Sequence, residues 1–238
     1  MSRLAASIAA LLVAALPQLA LALTGQITNL SGAVIARGPD GASRILSIRS
    51  EVVEGDVLVT ADNSYARVKF SDGSEVVMRP GTQIKIDAFR FEDGNPDRDS
   101  FVMSLLKGGM RSVTGLLGRR NPGRASYQTP TATIGIRGTH FGALVCNNDC
   151  ANVPSPTGSP PANGLHVDVA DGRIVVTSAA GTLEFSVGQF GYVASPAVAP
   201  VTIPASQGIR ATLPPQAIVA SIGGGGVGKA GELECVIR

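Results

Sequence analysis

Residues 66–79 read Ala66-Arg67-Val68-Lys69-Phe70-Ser71-Asp72-Gly73-Ser74-Glu75-Val76-Val77-Met78-Arg79. Apolar and charged residues alternate from Ala66 to Phe70, the period of a strand with one buried face. Asp72-Gly73 follows, and a tight type I′ turn needs left-handed backbone angles that Asp tolerates and Gly adopts freely. Glu75 to Arg79 is the return strand, so the stretch predicts a β-hairpin. The same grammar extends in both directions. Val57-Leu58-Val59 precedes a turn at Asp62-Asn63, and Pro80-Gly81 turns the chain into the alternating Gln83-Ile84-Lys85-Ile86-Asp87. Asp171-Gly172 predicts a further hairpin between Val167-Asp168-Val169 and Ile174-Val175-Val176. Phe101 to Leu117 is interrupted by Gly108-Gly109 and Gly115. Glycine costs about 1 kcal/mol relative to alanine inside a helix, so this stretch predicts two strands flanking a Gly108-Gly109 turn. Glu92 to Asp99 reads as a surface loop and Val153 to Gly164 as an irregular insertion. The expected fold is all-β: a β-sandwich or β-roll of the double-stranded β-helix kind, followed by an irregular C-terminal tail.

The N-terminus carries Arg3, an apolar run from Leu4 to Leu16, a break at Pro17 and the small-x-small triplet Ala20-Leu21-Ala22. That is the pattern of a secretory signal peptide over residues 1–22. Its apolar run falls short of the roughly 20 residues that span a bilayer. The β domain is expected over residues 23–193, and a Pro- and Gly-rich tail over 194–238, with a brief helical turn at Gln216–Ile222. The chain's net charge is +2, and the leader contributes only Arg3 to it, which argues against a nucleic-acid partner. The sequence predicts a periplasmic or secreted protein that meets the membrane only through its leader.

Cys146 and Cys150 enclose the turn-forming Asn147-Asn148-Asp149, and export permits oxidation. A local disulfide is expected there, leaving Cys235 free or intermolecular. His140 and His166 stand at no metal-ligand spacing, so no metal site is expected. No HExxH or GxSxG sequence occurs. Gly223 to Lys229 fits GxxxxGK, but Ala230 stands where Ser or Thr must reach magnesium. No catalytic residue and no cofactor is expected.

The most specific stretch is Tyr127-Gln128-Thr129-Pro130-Thr131-Ala132-Thr133-Ile134-Gly135-Ile136-Arg137-Gly138-Thr139-His140-Phe141. It resembles the TPxAxxGxRGTxF signature of the FecR family. Gly55-Asp56-Val57-Leu58-Val59-Thr60, Phe70-Ser71-Asp72-Gly73-Ser74, Asp171-Gly172-Arg173-Ile174-Val175-Val176 and Val187-Gly188-Gln189 are similar to further elements of that family, in its order. Physically, Thr129-Pro130 pushes the chain into an extended conformation. Gly135 leaves room for a neighbouring backbone. Gly138 allows a corner that Arg137 could pin with its planar fork. Thr129, Pro130, Thr131, Gly135, Arg137, Gly138 and Thr139 are therefore read as mainly structural. Val76 to Ile84 faintly repeats Ile134 to Phe141, each copy placing an Arg shortly before a Gly-Thr pair.

The resemblance implies a periplasmic domain. In iron uptake, members couple an outer-membrane receptor to an anti-sigma segment, which requires a cytoplasmic N-terminal domain and a spanning helix. Here the β domain is expected directly after the leader, so the expectation is a free module. It would be non-catalytic and bind an envelope polymer or a protein partner. The alternatives are a signalling accessory to a membrane receptor or sensor, and an envelope hydrolase. One charge feature stands out. No acid lies between Asp99 and Asp149, while Arg111, Arg119, Arg120 and Arg124 fall there and could form an anion-binding patch.

Overall fold

Period-2 alternation is realised in fifteen strands over residues 24–211, the part of the chain that this computed structural model describes. In chain order they are β1 (Gly25–Ser31), β2 (Val34–Arg37), β3 (Ser43–Ile45), β4 (Glu51–Val52), β5 (Val57–Thr60), β6 (Tyr65–Phe70), β7 (Glu75–Met78) and β8 (Gln83–Arg90). After the Glu92–Asp99 loop come β9 (Ser100–Val113), α1 (Leu116–Arg120), β10 (Ala125–Gln128), β11 (Thr133–Cys146), β12 (Gly164–Ser178), β13 (Gly181–Ser186), β14 (Phe190–Val193) and β15 (Val201–Ile203). The fold is all-β, as the alternation predicts. The leader, Gln216–Ile222 and Cys235 lie outside the described residues.

All the strands join one mostly antiparallel sheet, whose main path runs β15-β14-β12-β11-β10-β9-β7-β6-β1-β4. β10 runs parallel to β9. The sheet rolls over a single main core. Phe70 of β6 stacks on Phe89 of β8, a strand it does not pair with, at 5.4 Å between centroids. Phe101, Tyr127 and Phe141 continue this row edge to face across β9, β10 and β11. Such aromatic pairs add to what their burial contributes. The Tyr127 hydroxyl keeps its hydrogen bond by pairing with Ser112 at 2.7 Å. Burial nevertheless pushes its pKa well above the ordinary phenol range.

The β6–β7 hairpin forms, with Val68 opposite Val76 and Lys69 opposite Glu75. Its turn differs from the expected two-residue type. Phe70 N–H donates to the Ser74 carbonyl and Gly73 N–H to the Phe70 carbonyl, so Ser71-Asp72-Gly73 is a three-residue loop. Only Gly73 within it is left-handed, at φ 82°. Arg67, expected on a wet face, is buried and paired with Glu75.

Two other turns are bends inside long strands. Gly108, at φ 77°, sits within the continuous β9. The halves of β9 do not pair with each other: the first pairs with β8 and the second with β7 and β11. Gly172 likewise lies inside β12, both of whose halves pair with β11. Each glycine lets one continuous strand bend, and at Gly172 only the partner on the far edge changes, from β14 to β13, so neither glycine closes a hairpin. The short α1 also forms where strand was expected.

The tail is not free of the domain at its start. β15 pairs with β14, and Ile209 and Ala211 are buried beyond it. The segment lies over the outer face of β9, β11 and β12. Arg111 Nη1 donates to the Ala211 carbonyl at 3.0 Å, and Ala211 N–H donates to Asp168 Oδ1 at 2.9 Å.

Candidate functional site

The motif residues converge on one internal polar thread. Asp72, freed by the three-residue turn, accepts from Ser74 N–H at 2.9 Å and from Ser74 Oγ at 2.7 Å. Its carboxylate also accepts from Leu117 N–H, and its carbonyl from Leu116 N–H, at the start of α1. Ser74 Oγ in turn accepts from Gly115 N–H at 2.9 Å. The adjacent Thr114 Oγ1 accepts from Thr139 N–H at 3.0 Å and pairs with Thr139 Oγ1 at 3.1 Å. Gly138, before Thr139, is left-handed at φ 62°. Its carbonyl presses on Gly172: a Cβ there would lie 2.4 Å from the Gly138 oxygen. The Arg-Gly-Thr and Asp-Gly-Arg elements are thus two halves of one crossing, where the β11–β12 register shifts after Arg137.

Thr129 closes a side-chain turn, with its Oγ1 accepting from Ala132 N–H at 2.9 Å. Pro130 and Thr131 lie within that turn, and Gly135 sits in β11 opposite Val175. Arg137 is exposed, and no hydrogen bond ties it to the corner among the described residues. The corner is held by Thr139 and Thr114 instead. Thr82, in the repeated Gly-Thr pair, does a parallel job: its Oγ1 donates to the Gly109 carbonyl at 2.9 Å and its N–H donates to Thr60 Oγ1 at 2.9 Å. Asp56, fully buried, accepts both Arg44 Nη atoms, which raises the Arg44 pKa.

Two of the four arginines of the expected patch are engaged by acids, and two are exposed. Arg111 on β9 donates to Asp168 Oδ2 at 3.0 Å and to His140 Nε2 at 2.9 Å. Arg120 on α1 forks onto the buried Asp99 with two bonds of 2.7 Å and lies over the Phe91 ring. Arg119 and Arg124 are exposed. Asp168 of β12 and Asp99 of the loop before β9 thus engage two of the four charges inside the fold. His166 is buried and His140 is part-buried. Burial lowers both pKa values, and for His140 the neighbouring Arg111 lowers it further. Cys146 and Cys150 are joined as a disulfide. No group of three or more metal-ligating side chains occurs among the described residues.

A pocket of about 570 Å³ opens beside that disulfide. One wall is the turn-bearing pair Asp62-Asn63 and Arg79-Pro80-Gly81, the floor is Gly108-Gly109 and Leu144, and the other wall is the loop from Asp149 to Pro154. Lys107 also lines it and pairs with Asp149 at 3.6 Å. Arg79 is the unusual member. Its Nε and Nη1 are buried and have no hydrogen-bond partner among the described residues. Desolvation lowers its pKa, offset in part by Tyr65 and Asp168. The sequence reading missed Arg79 as a site residue, although the faint repeat had matched it with Arg137.

The FecR protein family matches residues 56–174, half of the chain's 238 residues. The chain belongs to the FecR family. The matched region takes in the whole polar thread from Asp56 and Asp72 to Gly172, so the FecR motifs are a frame for the roll. It also includes Arg79 and the pocket walls. No curated protein sequence matches the chain. Among solved structures, a cell surface anchoring domain aligns at 25% identity over 26% of this chain and 83% of its own, with a TM-score of 0.26. Two structures described as a candidate anti-sigma factor from Parabacteroides distasonis align over 71% of this chain, at 13% and 14% identity, each with a TM-score of 0.46. The chain spans 65% and 64% of their lengths. Among the described residues of this FecR chain, no helix is long and apolar enough to cross a membrane.

Proposed function

We propose that this FecR-family chain is an exported, non-catalytic module of the cell envelope that binds an envelope component or a protein partner. The observation that supports it most is the division of labour between motif and pocket. Asp72, Ser74, Thr114 and Thr139 satisfy one another inside the frame, while the Arg79 pocket presents charged groups at the surface. Export rests on the 1–22 leader pattern and accords with the Cys146–Cys150 disulfide. No cofactor and no nucleic acid enters this reading.

The test is affinity capture from envelope fractions with tagged chain beginning at Leu23, followed by mass spectrometry. A reproducible envelope protein or polymer is the expected result. Recovery of cytoplasmic proteins alone, or turnover of cell-wall fragments by the purified chain, contradicts it. Membership of the FecR family favours a second reading, a signalling accessory to a membrane receptor or sensor. That reading requires such a receptor or sensor among the captured proteins.

A further inference from the structure

We infer that the Arg79 pocket is a binding site for a small zwitterionic group, an amino acid or the end of a short peptide, whose carboxylate is held by the Arg79 guanidinium. The inference deepens the binding-module reading and rests on it. Leaving buried N–H groups of a cation unpaired is costly, because the group has lost water and gained nothing in return. Arg79 keeps two such groups, Nε and Nη1, while in the part-buried Arg111 on the same outer face both of these nitrogens are bonded, to His140, Asp168 and Ala211. A planar guanidinium holds a carboxylate with two parallel bonds along one edge, Nε with Nη2 or Nη1 with Nη2, and each of these edges of Arg79 carries one of the unpartnered N–H groups. Arg79 as a whole is part-buried and lines the cavity, while Nε and Nη1 are enclosed, so the proposed contact requires the guanidinium to turn toward the cavity as the ligand enters.

The lining argues for a ligand of both signs. Asp62 and Asp149 stand in the same pocket as Arg79 and Lys107. Two carboxylates repel a phosphate or a polyanion and attract an ammonium group. Lys107 is already paired with Asp149, which leaves Asp62 as the carboxylate for the ligand's cation. About 570 Å³ suits a ligand of one or two residues. The Cys146–Cys150 disulfide holds the base of the loop that forms the far wall, so that wall is set in place before the ligand arrives.

The test is an NMR titration of the chain beginning at Leu23 with three probes: alanylalanine, acetate and inorganic phosphate. Alanylalanine is expected to shift the amides of residues 62–65, 79, 81, 82, 107–109 and 149–153, with acetate weaker at the same place. Arg79→Gln should weaken alanylalanine about tenfold or more, the scale of a lost charged hydrogen bond. Arg79→Lys, which keeps the charge without the fork, serves if the glutamine variant does not fold, and should also bind more weakly. Asp62→Asn should weaken alanylalanine without weakening acetate. Absence of binding in the unaltered chain, tighter binding of phosphate than of alanylalanine, or equal affinity in the Arg79 variants overturns the assignment. Envelope capture that succeeds while the titration fails removes the pocket ligand alone. A positive titration with only cytoplasmic proteins captured removes the envelope reading and leaves the pocket.

Discussion

At the scale of single residues, the FecR motifs act through backbone fit. Gly138 and Gly172 both need left-handed angles, but their surroundings differ. A Cβ on Gly138 would meet nothing closer than Arg119 Cγ at 3.7 Å, whereas on Gly172 it would strike the Gly138 carbonyl. Gly138→Ala should therefore cost about 1 kcal/mol, from conformation alone. Gly172→Ala should cost about 3 kcal/mol or more, because conformational strain and the clash add. Urea denaturation of the two variants decides this, and equal losses would contradict the crossing described here. The histidines give a pH signature. Their folded pKa values lie below the ordinary 6.5, so the folded chain binds fewer protons than the unfolded one. Stability should be full above about pH 6.5 and fall as pH drops below it. Around His140 the groups that matter are Arg111, Asp168 and Asp171, and around His166 it is the Ala162 carbonyl. Thermal melts from pH 8 to 5 should show this loss, and replacing both histidines by glutamine should flatten it.

At the scale of elements, the tail segment and the disulfide loop both cover the outer face of the sheet. Asp168 joins the first of these to the domain, accepting from Arg111 and from Ala211 N–H. Asp168→Ala leaves a buried guanidinium with one fewer anion, a loss of about 3 kcal/mol or more. That corresponds to a fall in Tm of roughly 6–12 °C for a chain of this size. A fall of less than about 2 °C would show that the segment adds little. The Cys146–Cys150 bridge closes a much shorter loop than the 15 residues for which about 3 kcal/mol is expected, so Cys146→Ser with Cys150→Ser should cost less than that. Non-reducing peptide mapping should find this pair joined.

Elements were also where the sequence was read best and worst. Ala66 to Met78 announces its hairpin because its alternation and turn residues are local. Gly108 and Gly172 were misread as turns for the same reason. A left-handed glycine looks alike in a hairpin and in a bent strand, and only the partner strands, distant in sequence, tell the two apart. The pairing of two of the expected patch arginines is non-local as well, since Asp99 and Asp168 reach Arg120 and Arg111 from outside the acid-free run. Arg79 was illegible for the converse reason: its significance is a missing partner, and the sequence around it does not reveal which partners a side chain lacks.

At the scale of the whole molecule, one rolled sheet stiffened by the polar thread carries a charged pocket at its edge, with the disulfide loop as its wall. In the proposed function this frame presents a binding site in the envelope. Photo-crosslinking in intact cells tests it most directly, with a photoreactive residue at Asn152 on the pocket rim and another at the exposed Thr182 on β13. A reproducible envelope adduct from position 152 that disappears with Arg79→Gln, and none from position 182, is the expected result. Equal adducts from both positions, or an adduct at 152 indifferent to Arg79, would contradict it.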